Sequence, residues 1–451
     1  MPNKRGTLMR HLLMLSMALN SVLILRLIYT SGISWEAEKS LQGFCMAENQ
    51  EIGKVVVASS SSSSGTSTDG RIPDENGGGK LINLGHGDPT MYAKFWHQMG
   101  NKTTLVIPGW QSISYFSDVK NLCWFMEPDL TKAVIRLHKL VGNAITKDRH
   151  IVVGTGSSQL FQAALYALCP AESSEPTSVI SAAPYYSSYP LMTDFLKSGL
   201  YKWGGDAHKF RKRKNQAYIE LVTSPNNPDG SIRQAVVVNG SDGIVIHDLA
   251  YYWPQYTPIT FHADYDLMLF TVSKSTGHAG SRIGWAVVKN EEVARKMTKF
   301  IEVNTIGVSK DSQLRAAKIL NSVADTYDYS GNAKEEGAAF FEYSYGVMNK
   351  RWNQLKEAVR KNPIFSLPVF PWSYCNFSGR KFESQPAFAW LKCEGEIEDC
   401  EKLLGDHKIL TRGGKHFGFS SKYVRISMLE IEENFDIFTD RLSRIHVAGS
   451  G

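Results

Sequence analysis

The chain has 451 residues, 43% of them hydrophobic and 21% charged. This balance excludes a disordered or low-complexity protein and provides for a large core divided between two lobes. The formal charge is +6, but Lys4, Arg5, Arg10 and Arg26 lie in an N-terminal stretch without acids, so the remainder is close to neutral and carries no nucleic-acid signature.

Residues 1–30 read as a signal anchor or a signal peptide. Leu12 to Leu25 is mostly apolar, with Arg10 and His11 before it and Arg26 after it. Extended from Leu8 to Tyr29, the segment is long enough to span a bilayer, and Thr30, Ser31 and Gly32 offer no Ala-x-Ala cleavage pattern, which favours an uncleaved anchor. The basic residues ahead of it predict a single-pass protein of the endoplasmic reticulum membrane with its enzyme on the lumenal side. Sequons at Asn101, Asn239 and Asn376 are compatible with that topology. Residues 31–80 follow as a Ser/Gly-rich tether that cannot bury a core.

The folded part is expected to start close to Leu81. Residues 81–130 read as an arm contributing to a small lobe, 131–325 as a large lobe, and 326–446 as the rest of the small lobe. In the large lobe the strand His150–Val153 runs through Gly154-Thr155-Gly156-Ser157-Ser158 into a helix expected near Ser158. Backbone N–H groups at a helix N-terminus, aided by hydroxyls, bind anions, although a tight turn with a capping serine explains the same residues. A strand at Ser178–Ser181 leads to Ala183-Pro184-Tyr185-Tyr186-Ser187-Ser188-Tyr189, and the basic run Lys209–Lys214 reads as a solvated loop.

Three further strands end in residues that carry chemistry. Tyr218–Thr223 enters the turn Ser224-Pro225-Asn226-Asn227-Pro228-Asp229-Gly230. Gly243–Asp248 reads as a buried strand ending in an acid, with Tyr251 three residues on. Such an acid can pair with the protonated nitrogen of a pyridine ring, and the tyrosine can reach the ring's phenolic oxygen. The apolar run from Asp266 ends at Lys274, eight residues before Arg282. A partly desolvated lysine near other cations loses its proton readily and forms an imine with a carbonyl, so pyridoxal phosphate is the first cofactor to test. Asn227, Asp248, Tyr251, Lys274 and Arg282 each follow an expected parallel strand, the edge where open α/β sheets collect ligands.

Asn332–Lys361 reads as a long helix joining the lobes, and Tyr423–Leu429 as a strand carrying one arginine, Arg425, among apolar residues. A guanidinium fork matches a carboxylate in bidentate fashion. Cys45, Cys123, Cys169, Cys375, Cys393 and Cys400 are too few and too dispersed for a disulfide-rich module.

The segments Ser224–Gly230, Asp248–Tyr251 and Ser273–Arg282 resemble the cofactor signature of fold-type I aminotransferases. His86-Gly87-Asp88-Pro89-Thr90, Tyr115–Asp118, Asn121–Phe125, Gly154–Leu160 and Lys274–Arg282 are similar to the plant alliinase and tryptophan aminotransferase-related group, over roughly residues 80–446. The resemblance implies an α/β fold-type I pyridoxal-phosphate transferase, with a large, mostly parallel-sheet lobe and a smaller α+β lobe. It implies that Lys274 binds the cofactor covalently and shuttles the substrate's proton, that Asp248 pairs with the ring nitrogen, and that Tyr251 and Asn227 donate to the ring oxygen. Ser157, Ser158, Thr271, Ser273 and Arg282 would cup the phosphate, and Tyr186 would stack on the ring. Tyr115 would reach the phosphate of a partner subunit, which makes the enzyme a homodimer. Arg425 would bind the substrate carboxylate, with the backbone of Gly87 close to it.

Within this group two outcomes share Lys274, Asp248 and Arg425: transfer of an amino group to a keto acid, and expulsion of a group from the substrate's β-carbon. The match of the His86, Tyr115 and Lys274 segments to the tryptophan branch, together with the missing cysteine-rich N-terminal module of the alliinases, implies transfer from L-tryptophan to pyruvate, giving indole-3-pyruvate and alanine in auxin formation. An S-alkyl-cysteine sulfoxide lyase is the alternative enzyme, and a membrane-tethered binding protein without catalysis the alternative of another class.

Overall fold

A computed structural model describes residues 79–170, 175–213, 216–237, 243–328 and 339–446. The anchor, nearly all of the tether, Cys45 and the sequon at Asn239 lie outside the described residues. Among the described residues no helix is long and apolar enough to cross a membrane.

In chain order the elements are β1 (Ile82–Asn83), α1 (Ala93–Met99), α2 (Pro128–Val141), β2 (His150–Thr155), α3 (Gly156–Leu168), β3 (Thr177–Ser181), α4 (Tyr189–Asp194), β4 (Tyr201–Asp206), β5 (Tyr218–Thr223), β6 (Gly243–Asp248) and β7 (Leu267–Thr271). They continue with α5 (Val272–Ser275), β8 (Ile283–Val288), α6 (Glu291–Thr305), α7 (Lys310–Asp328), α8 (Phe340–Lys361), β9 (Phe365–Ser366), β10 (Trp372–Cys375), β11 (Arg380–Glu383) and β12 (Phe388–Cys393). The last are α9 (Cys400–Asp406), β13 (Ile409–Leu410), β14 (Arg412–Gly413), β15 (Tyr423–Ser427) and α10 (Glu432–Ser443).

Seven strands form one sheet in the order β2-β8-β7-β6-β5-β3-β4. All run parallel except β8, which is antiparallel to both neighbours. Strands β3, β5, β7 and β8 are buried along their length, as strands covered on both faces are. Register sets Thr223 beside Asp248 and Asp248 beside Leu269, so β5, β6 and β7 deliver their last residues to one edge.

The helices that cover the sheet carry their own start and stop signals. In α2, Pro128 opens the first turn, Gly142 closes it at φ +71°, and Leu130, Val134, Leu137 and Val141 form the buried stripe. The Asn290 side chain accepts the Val293 N–H at 3.0 Å to cap α6. On the buried face of α2, His138 donates Nδ1–H to Asn143 at 2.8 Å and accepts the Trp285 indole N–H at Nε2 at 2.9 Å. Trp253 and Phe270 pack on the same imidazole, and each fully buried aromatic of this kind contributes about 1.5–3 kcal/mol.

A second, antiparallel sheet has the order β14-β15-β12-β9. Arg425 on β15 therefore lies on an inner strand, opposite Trp390 on β12 and Arg412 on β14. Strand β1 pairs with β13 in parallel, which fastens the start of the folded chain beside this sheet.

Several expected boundaries move. The strand read from Asp266 to Lys274 ends at Thr271, because the Thr271 hydroxyl accepts the Ser273 N–H at 3.1 Å and starts the one-turn helix α5 that carries Lys274. Helix α3 begins at Gly156 rather than near Ser158, since β2 runs straight into it. Strand β6 is only partly covered, with Ile246 buried and Ile244 exposed. The run from Tyr423 leaves the sheet at Ser427, and α8 starts at Phe340 rather than Asn332, with 329–338 outside the described residues. Cys393 and Cys400 form a disulfide between the end of β12 and the start of α9. Asn101 and Asn376 are exposed, and Asn376 donates its amide to the Thr260 carbonyl at 3.1 Å.

Candidate active site

At the carboxyl ends of β5, β6 and β7 lies a cavity of about 190 Å³. Its walls include Ser157, Ser158, Tyr186, Asn227, Asp248, Tyr251, Thr271, Ser273, Lys274 and Arg282, brought from segments more than a hundred residues apart. A larger groove of about 750 Å³, bordered by Arg233, Phe370 and Trp390, holds none of these residues. Size thus points one way and chemistry the other, and the convergence of titratable groups identifies the smaller cavity as the site.

One end of the cavity is built for an anion. Helix α3 points its first N–H groups there, and Gly156 at φ +73° leaves room that a Cβ would fill, 2.3 Å from Arg282 Nη2. A Cβ on Gly284 would stand 2.7 Å from the Ser157 nitrogen. Arg282, itself at φ +52°, donates Nη1–H to the Ala279 carbonyl at 3.0 Å and to the Ser273 hydroxyl at 3.4 Å. Thr271 donates its hydroxyl to the Ile283 carbonyl at 3.0 Å and lies 3.0 Å from the Ser273 hydroxyl. Helix dipole, hydroxyls and guanidinium converge with no carboxylate among them.

The other end presents Asp248. Its carboxylate accepts the Tyr189 hydroxyl at 2.9 Å and the Ala250 N–H at 3.1 Å. Tyr189 also lies 2.6 Å from the Thr223 hydroxyl. Burial raises the pKa of Asp248, opposed by these two hydrogen bonds, so this carboxylate lacks a cationic partner. Burial likewise raises the Tyr251 phenol, which hydrogen-bonds Asn227.

Between the two ends stands Lys274. Burial lowers its pKa to about 8, with Arg425 and Arg282 acting the same way and Asp88 opposing. Its Nζ donates to the Gly87 carbonyl at 2.5 Å. Arg425 is buried, with only 4% of its surface exposed. Its guanidinium donates to Asn227 Oδ1 at 3.1 Å and to the Gly85 carbonyl at 2.6 Å. Phe388 and Phe417 pack against it at 4.1 and 5.3 Å. Nε has no partner, and among the described residues no carboxylate pairs with this cation. Burial draws its pKa down to about 10. A buried guanidinium without an acid is a receptor for one.

These donors fit pyridoxal 5'-phosphate: the phosphate at α3, Ser273 and Arg282, the ring nitrogen at Asp248, the ring oxygen at Asn227 and Tyr251, and the aldehyde at Lys274. Gly87 and Arg425 lie next to Lys274 on the substrate side. Tyr115 does not join them, being 68% exposed. Sequence reasoning overlooked Tyr189, Thr223, Phe388 and Phe417. Tyr189 closes the same Tyr-rich stretch as Tyr186 and was within reach, whereas Phe388 arrives from β12 and Phe417 from the 3-10 turn Gly414–Phe417, and neither has a local signal.

The family model described as Allinase matches residues 82–446. Tryptophan aminotransferase-related protein 2 of Arabidopsis thaliana is 55% identical over 438 residues, covering 96% of this chain and 96% of the relative. An alliin lyase of Allium cepa var. aggregatum is 36% identical over 366 residues, covering 79% of this chain and 80% of its own. Among solved structures, a tetra mutant of Thermus thermophilus aspartate aminotransferase aligns with a TM-score of 0.57 at 18% identity, over 84% of this chain and 99% of that one. That likeness establishes the fold, the fold-type I aminotransferase architecture with its mostly parallel central sheet.

Proposed function

The chain belongs to the allinase family, and from that premise we propose that it is a pyridoxal-phosphate-dependent aminotransferase moving the amino group of L-tryptophan to pyruvate, in auxin formation. The observation that carries the reading is the placing of a lysine with its pKa near 8 between a buried carboxylate and a buried arginine that has no acid. The relative that is 55% identical over almost its whole length supports tryptophan as donor through its name.

The cofactor, when bound, supplies an electron sink for the carbon that loses its proton. Arg425 receives the α-carboxylate through its guanidinium and fixes which bond of the α-carbon faces Lys274. Lys274, neutral in a useful fraction near neutral pH, takes the α-proton at Nζ and would return it to the carbon on the other side of the amino nitrogen. Asp248 stays anionic by gaining the ring nitrogen's proton as a partner, and Tyr189 holds its carboxylate in line. Tyr251 and Asn227, joined to each other, present donors to the ring oxygen.

The same reading includes a homodimer in which Tyr115 completes the partner's site, and an N-terminal membrane anchor. The second enzyme reading, a lyase acting on S-alkyl-cysteine sulfoxides, is favoured by the alliin lyases among the relatives. Two incubations of the purified protein with pyridoxal phosphate test the choice. L-tryptophan with pyruvate should give indole-3-pyruvate and alanine in equal amounts. Pyruvate and ammonia released from a sulfoxide, with no indole-3-pyruvate in the first tube, would overturn the aminotransferase.

A further inference from the structure

The strap from Leu84 to Met91 crosses the substrate side of the cavity. It is fastened at both ends to the chain that follows Arg425: Ser427 donates its N–H to the Leu84 carbonyl at 2.9 Å, and Met91 donates to the Leu429 carbonyl at 2.9 Å. Between these anchors, two carbonyls turn inward. Gly85 accepts from Arg425 and Gly87 accepts from Lys274. The strap is pressed close on this side, since a Cβ on Gly85 would stand 2.9 Å from the Thr411 carbonyl oxygen and one on Gly87 2.9 Å from the Phe388 ring.

His86, the residue between the two glycines, turns outward. Its Nε2 faces Glu430 Oε2 at 3.5 Å, while its Nδ1 accepts the Asp88 N–H at 3.4 Å. Because Nδ1 accepts, the neutral ring carries its proton on Nε2, toward the carboxylate. Glu430 is nearly buried and is itself fixed, accepting the Ile431 N–H at 2.9 Å and the Thr90 hydroxyl at 3.4 Å. The strap is thus held from outside by His86 and Thr90 on Glu430 and from inside by the two cations of the reaction.

We propose that His86 and Glu430 are positioning residues of the reaction: by fixing the strap they set the carbonyls that hold Arg425 and Lys274. Arriving carboxylate displaces the Gly85 carbonyl from Arg425, and the Gly87 carbonyl receives the Lys274 amine once the substrate's amino group has taken its place on the cofactor. The inference rests on Arg425 receiving the substrate carboxylate, as proposed above.

The test uses the full-length protein loaded with pyridoxal phosphate, and the variants His86→Ala, His86→Gln and Glu430→Gln. Two quantities are read: kcat and KM for L-tryptophan, and the affinity for indole-3-propionate, a carboxylate that lacks the amino group. Loosening the strap should lower kcat by about tenfold to a hundredfold through misplacement of Lys274. Indole-3-propionate should bind at least as tightly as to the wild type, because the competing Gly85 carbonyl is less firmly held. His86→Gln, which retains a donor toward Glu430, should recover most of kcat. An unchanged kcat in both His86→Ala and Glu430→Gln overturns the proposal, as does a loss of indole-3-propionate binding of more than about threefold, the mark of a merely structural role. If the wild type makes no indole-3-pyruvate, the tryptophan reading fails while the binding arm still decides the strap.

Discussion

Burial and two guanidinium groups act in the same direction on Lys274, and Asp88 alone opposes them. With the pKa lowered to about 8, the amine is neutral above that pH and protonated below it. Covalent capture of free pyridoxal phosphate by the protein, followed by absorbance, should therefore accelerate as pH rises through about 8 and level off above it. A capture rate insensitive to pH across this range contradicts the assignment. Lys274→Ala should abolish the absorbance and lower turnover by about 10²–10⁴-fold, the usual worth of a positioned proton carrier. An unchanged spectrum in that variant would remove Lys274 from its role, and unchanged activity would favour a protein whose purpose is binding.

At the scale of elements, the turn between β2 and α3 makes the anion site and constrains it. Gly156 has both a positive φ and a neighbour, Arg282, in the space of a Cβ. Gly156→Ala should cost about 1–3 kcal/mol of stability through the left-handed backbone and push Arg282 away from the phosphate end. Equilibrium dialysis should show pyridoxal phosphate held much more weakly than by the wild type. Affinity equal to the wild type would show that Arg282 does not contact the phosphate. This element was legible in the sequence, because a Gly-x-Gly-Ser-Ser stretch after an apolar strand has one physical reading when a lysine and an acid follow on later strands. Strands β5 and β6 were legible to the residue, bounded by a Pro/Asn turn and by an acid. The end of β7 was not, since the apolar run continues into α5 and only the Thr271 side chain marks the change. The second sheet was barely visible: β9 and β14 have two residues each, too few for any period to show. Phe388 reaches Arg425 from the neighbouring strand β12 and Phe417 from the 3-10 turn after β14, and the seven-residue separation of Cys393 and Cys400 does not by itself identify a bond.

Over the whole molecule, three buried or partly buried histidines share one pH response. Burial lowers His138, His247 and His278 from 6.5 to about 4. In each, the unfolded chain takes up a proton first as pH falls. Stability is thus fully present above about 6.5 and is lost as pH drops toward 4. For the fully buried His138 the loss amounts to about 3 kcal/mol. Denaturant midpoints should fall between pH 7 and pH 5, and less so in His138→Gln. A midpoint that does not move between these values contradicts the neutral, hydrogen-bonded His138.

The segment holding Val106, Trp110, Ile113, Tyr115, Phe116 and Val119 exposes its large apolar side chains to more than half their surface. Exposed apolar patches of this size are characteristic of interfaces, and this one surrounds the tyrosine expected to complete a second site. Sedimentation should give twice the chain mass, and Trp110→Asp should yield a monomer that loses its cofactor on dialysis. A wild-type monomer that is fully active would refute the shared site.

The most direct test follows the nitrogen. Tryptophan labelled with heavy nitrogen at its α-amino group is incubated with pyruvate and the loaded protein, and the products are separated by mass. The label should appear in alanine, with one indole-3-pyruvate formed for each labelled alanine. Label found in free ammonia, or left wholly in tryptophan while a sulfoxide is cleaved, would contradict amino transfer as the reaction of this site.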